Sequence, residues 1–87
     1  MKPTIRKPTD AETTEAQVWP IWQKEASSFP WQYDQQETCL ILEGEITITN
    51  EASETFDVTA GDYVIFPQGM HCTWTIHKDV KKHYKFG

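Results

Sequence analysis

Few residues of this 87-residue chain are suited to chemistry: two cysteines, Cys39 and Cys72, three histidines, His71, His77 and His83, and Glu37, two positions before Cys39. A local zinc motif sets paired ligands within about five residues of each other, and these histidines are spaced more widely. There is no Cys-x-x-Cys pair, and the four glycines all stand alone, so no phosphate-cradling loop is present. In a strand, residues two apart share a face. Trp31 with Tyr33, Glu37 with Cys39, and Cys72 with Trp74 are therefore three same-face pairs. A carboxylate among rings and thiols suits proton transfer, because desolvation favours its neutral form. Cys72 as nucleophile or soft metal ligand needs a thiolate. Its only basic neighbour, His71, points to the opposite face.

These residues must be positioned by short strands. Up to Gln17 the chain is polar, with one helix signal, the Thr9-x-x-Glu12 capping-box spacing after Pro8, enough for a turn or two. From Val18 onwards apolar residues alternate with polar ones, and no stretch keeps a 3.6-residue period. The pattern predicts strands over 18–23, 29–33, 37–42, 45–50, 54–59, 63–67, 72–77 and 80–86. This is an all-β domain over 18–87 preceded by an arm over 1–17. Gly44, Gly61 and Gly69 fall between these segments and are expected in turns with positive φ.

The glycines also carry a resemblance. Gly61-x5-Pro67-x-Gly69 is similar to the start of the second cupin motif, and Glu37-x6-Gly44, within Glu-Thr-Cys-Leu-Ile-Leu-Glu-Gly-Glu, to the end of the first. From about Trp19 to Phe86 the chain resembles the small single-domain cupins grouped with ureidoglycine aminohydrolase and ethanolamine-utilisation proteins. That resemblance implies a conical β-barrel, a jelly-roll variant, with a ligand cavity at its wide mouth. Metal-binding cupins place His-x-His before the Glu and a third His after the second motif. Here those slots hold Trp31, Tyr33 and Cys72, and only Glu37 keeps the family residue.

If the slots correspond, Trp31, Tyr33, Glu37, Cys39, Cys72 and Trp74 face the cavity. Tyr33, Glu37 and Cys72 are then the candidates for catalysis. With no Lys, Arg or His on the corresponding inward positions, burial is expected to favour neutral Glu37, so that Glu37→Gln costs little stability. The plainer readings are that Glu37 accepts hydrogen bonds in a filled interior, that Cys39 and Cys72 are inert buried thiols, and that Trp31 and Trp74 fill the barrel. Lys78, Lys81, Lys82 and Lys85 read as a solvated, Lys-guarded edge strand. Trp19 and Trp22, flanking Pro20, read as a cover of the barrel or a homodimer contact.

A net charge of −5 disfavours nucleic acid as a partner. The longest apolar run, Cys39 to Leu42, is far below the roughly 20 residues that span a bilayer, and no apolar stretch follows Met1-Lys2. With two unpaired cysteines, a soluble cytoplasmic protein is expected. The favoured reading is a metal-free barrel with a small-molecule pocket, a binding protein or an acid/base enzyme, and no cofactor. Two alternatives stand beside it. One is a metalloenzyme, aminohydrolase- or dioxygenase-like, holding a divalent ion through Glu37 and the thiols. The other is a filled, non-catalytic interaction barrel working through the Trp19–Trp22 edge.

Overall fold

The computed structural model describes all residues, Met1–Gly87. Its elements in chain order are β1 (Thr4–Arg6), α1 (Asp10–Ala16), β2 (Ile21–Lys24), β3 (Ser27–Gln32), β4 (Glu37–Asn50), β5 (Thr55–Thr59), β6 (Tyr63–Phe66) and β7 (His71–Phe86). The all-β architecture with a short helical turn is the one expected. The helix begins where the capping box places it: Thr9 Oγ1 accepts from the Glu12 amide, and Glu12 Oε1 accepts from the Thr9 amide. Arg6 grips Glu12 through two 2.7 Å bonds, holding that carboxyl down at about 2.

All strand pairings are antiparallel, and the sheet order β1-β6-β4-β7-β2 is open, with β3 added to β7 and β5 to β4. The two long strands bind the architecture together. The first half of β4 lies between β6 and the second half of β7, while its second half lies between β5 and the first half of β7. β7 likewise pairs β3 early and β2 late. The long strands thus pass from one layer of a jelly roll into the other, and the inner faces of the layers enclose the core.

Two expected turns are instead bends within continuous strands. Segments 37–42 and 45–50 form one strand, as do 72–77 and 80–86. Gly44 does take positive φ (118°), but inside β4, where register shifts against β7 fall between Ile41 and Ile46. These bulges change which residues point inwards: Glu37, Cys39 and Ile41 before the bend, Ile46 and Ile48 after it, all buried. A Cβ on Gly44 would lie 2.9 Å from Asp79 O and Val80 Cα, so the strands meet there backbone to backbone. Gly61 and Gly69 sit in turns with positive φ, as expected.

The arm over 1–17 is more structured than its composition indicates. β1 pairs β6 through Thr4↔Ile65 to Arg6↔Tyr63. The Arg6 guanidinium lies over the Tyr63 ring, the Trp19 ring packs against Tyr63, and His83 Nδ1 bonds the Trp19 carbonyl oxygen. This covers the outer face of the first layer, which explains why Thr38, Leu40, Tyr63 and His83 are buried beside inward-facing neighbours. No helix is long and apolar enough to cross a membrane.

Candidate functional site

The inner faces of the bent layers leave one apolar cavity of ≈ 220 Å³. β2 and β3 contribute Trp22, Phe29 and Trp31, with Tyr33 just beyond; β7 contributes Trp74, Tyr84 and Phe86. The only charged residues lining it are Glu37 from β4 and Lys82 from β7. Trp31 and Phe86 are half exposed at the mouth, whereas Tyr33 and Trp74 are shared with the buried core.

The rings brace one another. Tyr33 stacks on Phe66 at 4.7 Å and accepts a 3.0 Å hydrogen bond from the Trp74 indole. Trp74 stacks on Phe29 and meets Trp22 edge-on, with centroids 6.1 and 5.9 Å apart. Such contacts add about 0.5–1.5 kcal/mol per pair beyond burial, so each ring of this wall is held by its neighbours.

At the polar centre the sequence reading needs correction. Glu37 is buried as expected, but not without a cation: Lys82 Nζ donates to Glu37 Oε2 at 2.6 Å, and both side chains are almost wholly buried. The expectation of an uncompensated carboxylate therefore fails, as does that of Lys82 as a solvated edge residue. The ammonium sits 4.8 Å from the Trp22 centroid, 4.6 Å from that of Trp74 and 5.9 Å from that of Tyr84, a cation–π cage. The Cys39 thiol donates to the same Oε2 at 2.8 Å. Oε1 has no protein partner and keeps access to the cavity.

The other expected site residues divide by depth. Cys39 and Cys72 are buried in the core and do not line the cavity. Burial pushes the Cys72 thiol up to about 11, and burial likewise raises the Cys39 thiol and the Tyr33 hydroxyl. Trp19 and Trp22, expected at a cover or dimer edge, both have partners within the chain: Tyr63 for Trp19, and Phe29, Trp74 and Lys82 for Trp22. Trp22 and Lys82, read from sequence as edge residues, and Phe29, Tyr84 and Phe86, not singled out at all, complete the lining.

The thiols make a measurable difference at high pH. A thiol with a folded pKa above its unfolded value of about 8.5 supports the fold fully below that pH, and this support is lost as pH rises towards about 11 for Cys72. Native protein at pH 8 should resist iodoacetamide at both cysteines, and urea stability should fall between about pH 9 and 11. Rapid native alkylation of Cys72 would contradict this.

The donor set does not suit a divalent ion. No group of three or more His, Cys, Asp or Glu side chains is arranged to hold one. The single carboxylate in the cavity already accepts from an ammonium and a thiol through one oxygen.

The comparisons agree with this architecture. A family model described as a EutQ-like cupin domain matches residues 11–84. A DUF861 family protein from Thermotoga maritima is similar at 42% identity and TM-score 0.95, with 99% of this chain and 100% of that one covered. A putative ethanolamine utilization protein Q from Salmonella typhimurium is 29% identical, TM-score 0.69, over 76% of this chain. This chain spans about half (53%) of that protein's length. A search of curated proteins gave no significant match.

Proposed function

The chain belongs to the EutQ-like cupin domain family, and within it we propose a barrel that binds a small molecule without a metal ion. One observation carries this reading: an aromatic-walled cavity whose polar centre is an ion pair, Glu37–Lys82, rather than a ligand set. A mostly apolar cleft with a few convergent polar groups is the usual form of a small-molecule site. At ≈ 220 Å³ it lies below the roughly 300–1,000 Å³ of sites for drug-sized ligands, which favours a compact metabolite.

Binding is favoured over catalysis by Tyr33 or Cys72. Burial keeps the Tyr33 hydroxyl and the Cys72 thiol protonated at neutral pH, and Cys72 lies outside the cavity lining. Two free cysteines support a reducing, cytoplasmic setting. The test is a library of small fragments screened against protein stripped of metal by chelator, read through the indole N–H signals of Trp22 and Trp74. Saturable shifts unaffected by added zinc, manganese or iron are expected. Binding that appears only after metal is restored would overturn the metal-free reading.

A further inference from the structure

Resting on the ligand-binding reading above, we infer that the cavity takes a flat, uncharged ring bearing an N–H next to a C=O. The carbonyl oxygen accepts from Lys82 Nζ, and the N–H donates to Glu37 Oε1.

Both members of the pair have unused hydrogen-bonding capacity. An ammonium has three donors, and the hydrogen bond Lys82 makes to an oxygen is the one to Glu37 Oε2. Its other neighbours include the faces of Trp22, Trp74 and Tyr84, which attract the charge without replacing an oxygen acceptor. A side chain only 7% exposed therefore lines the cavity with donor capacity to spare. Glu37 shows the complementary vacancy: Oε2 takes both the ammonium and the Cys39 thiol, leaving Oε1 to the cavity. One acceptor and one donor are thus wanted from a ligand. Nζ and Oε1 are both neighbours of Oε2, so the two ligand atoms must be close together, as on one edge of a cis-amide.

Charge then selects among ligands offering such an edge. The pair is neutral as a unit, and a carboxylate or ammonium brought into it would leave one charge desolvated without a counter-charge. A neutral amide edge satisfies both groups and leaves the pair intact. The walls set the rest of the shape: braced rings in ≈ 220 Å³ suit one planar ring better than a branched or extended molecule.

The test titrates the full chain with 2-pyridone as probe, following the Trp22 and Trp74 indole N–H signals. N-methyl-2-pyridone, which lacks the donor, and benzoate and benzylamine, which are charged, serve as comparisons. The expected result is saturable binding of 2-pyridone at least about tenfold tighter than any comparison compound. Because either single substitution leaves a lone buried charge, and a Gln at 37 would itself pair with an amide edge, the matched variant is the double substitution Glu37→Leu with Lys82→Met. It should lose the preference over N-methyl-2-pyridone while still binding the ring weakly. Equal binding of N-methyl-2-pyridone, or tighter binding of benzoate or benzylamine, would overturn the inference. If none of these probes binds but another fragment saturates the same indole signals, the ligand class is wrong and the binding reading stands. If no compound of any class perturbs them, both fail.

Discussion

Replacing Lys82 by Met is expected to lower the unfolding free energy by about 3–5 kcal/mol, with Glu37→Gln alone close behind. Either substitution leaves one member of a buried ion pair without its counter-charge: Glu37 is 3% exposed and Lys82 5%. The remaining neighbours cannot compensate. For Glu37 they reduce to the Cys39 thiol, a weak donor, and for Lys82 to the Cys39 sulfur, a weak acceptor, and aromatic faces. Removing both charges should restore most of the loss, because two desolvated ions give way to side chains of similar volume. Urea unfolding of wild type, both single variants and the double variant closes this cycle, with a large coupling as its signature. Additive losses would show that the groups do not interact. A chain of this size has only about 5–15 kcal/mol to lose, so the single variants should be visibly less stable at 37 °C.

The second large effect is expected at Gly44. Ala there must hold φ near +118° and place its Cβ 2.9 Å from backbone atoms of Asp79 and Val80, which cannot rotate away. Strain and overpacking together make Gly44→Ala cost about 2–5 kcal/mol. Gly61→Ala is the internal comparison. Its φ is also positive (+94°), but the nearest contact is the flexible Lys7 ammonium at 3.5 Å, so only the backbone cost of about 1–2 kcal/mol applies. Denaturant midpoints for the two variants measure the difference. Equal losses would mean that β4 and β7 do not approach at Gly44 as described.

Gly44 also shows what the sequence could and could not convey. Leu-Glu-Gly-Glu has the composition of a tight turn, and only pairing with β7 on both sides of it reveals a bulge. Yet the shift from inward odd positions, Glu37, Cys39 and Ile41, to inward even ones, Ile46 and Ile48, is written in the alternation itself. Lys82 was legible in the same way. Cys72, Trp74 and Ile76 are inward, and the even series continues through Val80 and Tyr84, with Lys82 between them. Reading four lysines as a guarded edge gave charge precedence over periodicity. The Thr9–Glu12 capping box was local and complete, so the helix was found. β1 has only Ile5 as an apolar residue, and three residues carry no period to detect. The inward direction of Glu37 followed from its strand; its partner lies 45 residues away on another strand, where no local pattern couples the two.

NMR of the lysine ammonium groups reads out whether the cavity is organised around the Glu37–Lys82 pair. Of the chain's seven lysines, Lys82 alone should give a slowly exchanging Nζ signal, displaced upfield by the rings of Trp22 and Trp74. That signal should couple across the hydrogen bond to the Glu37 carboxylate carbon and lose the coupling in Glu37→Gln. Seven equivalent, rapidly exchanging ammonium groups, with Glu37 signals broadened by substoichiometric manganese, would put a metal ion beside Glu37 in place of the Lys82 ammonium.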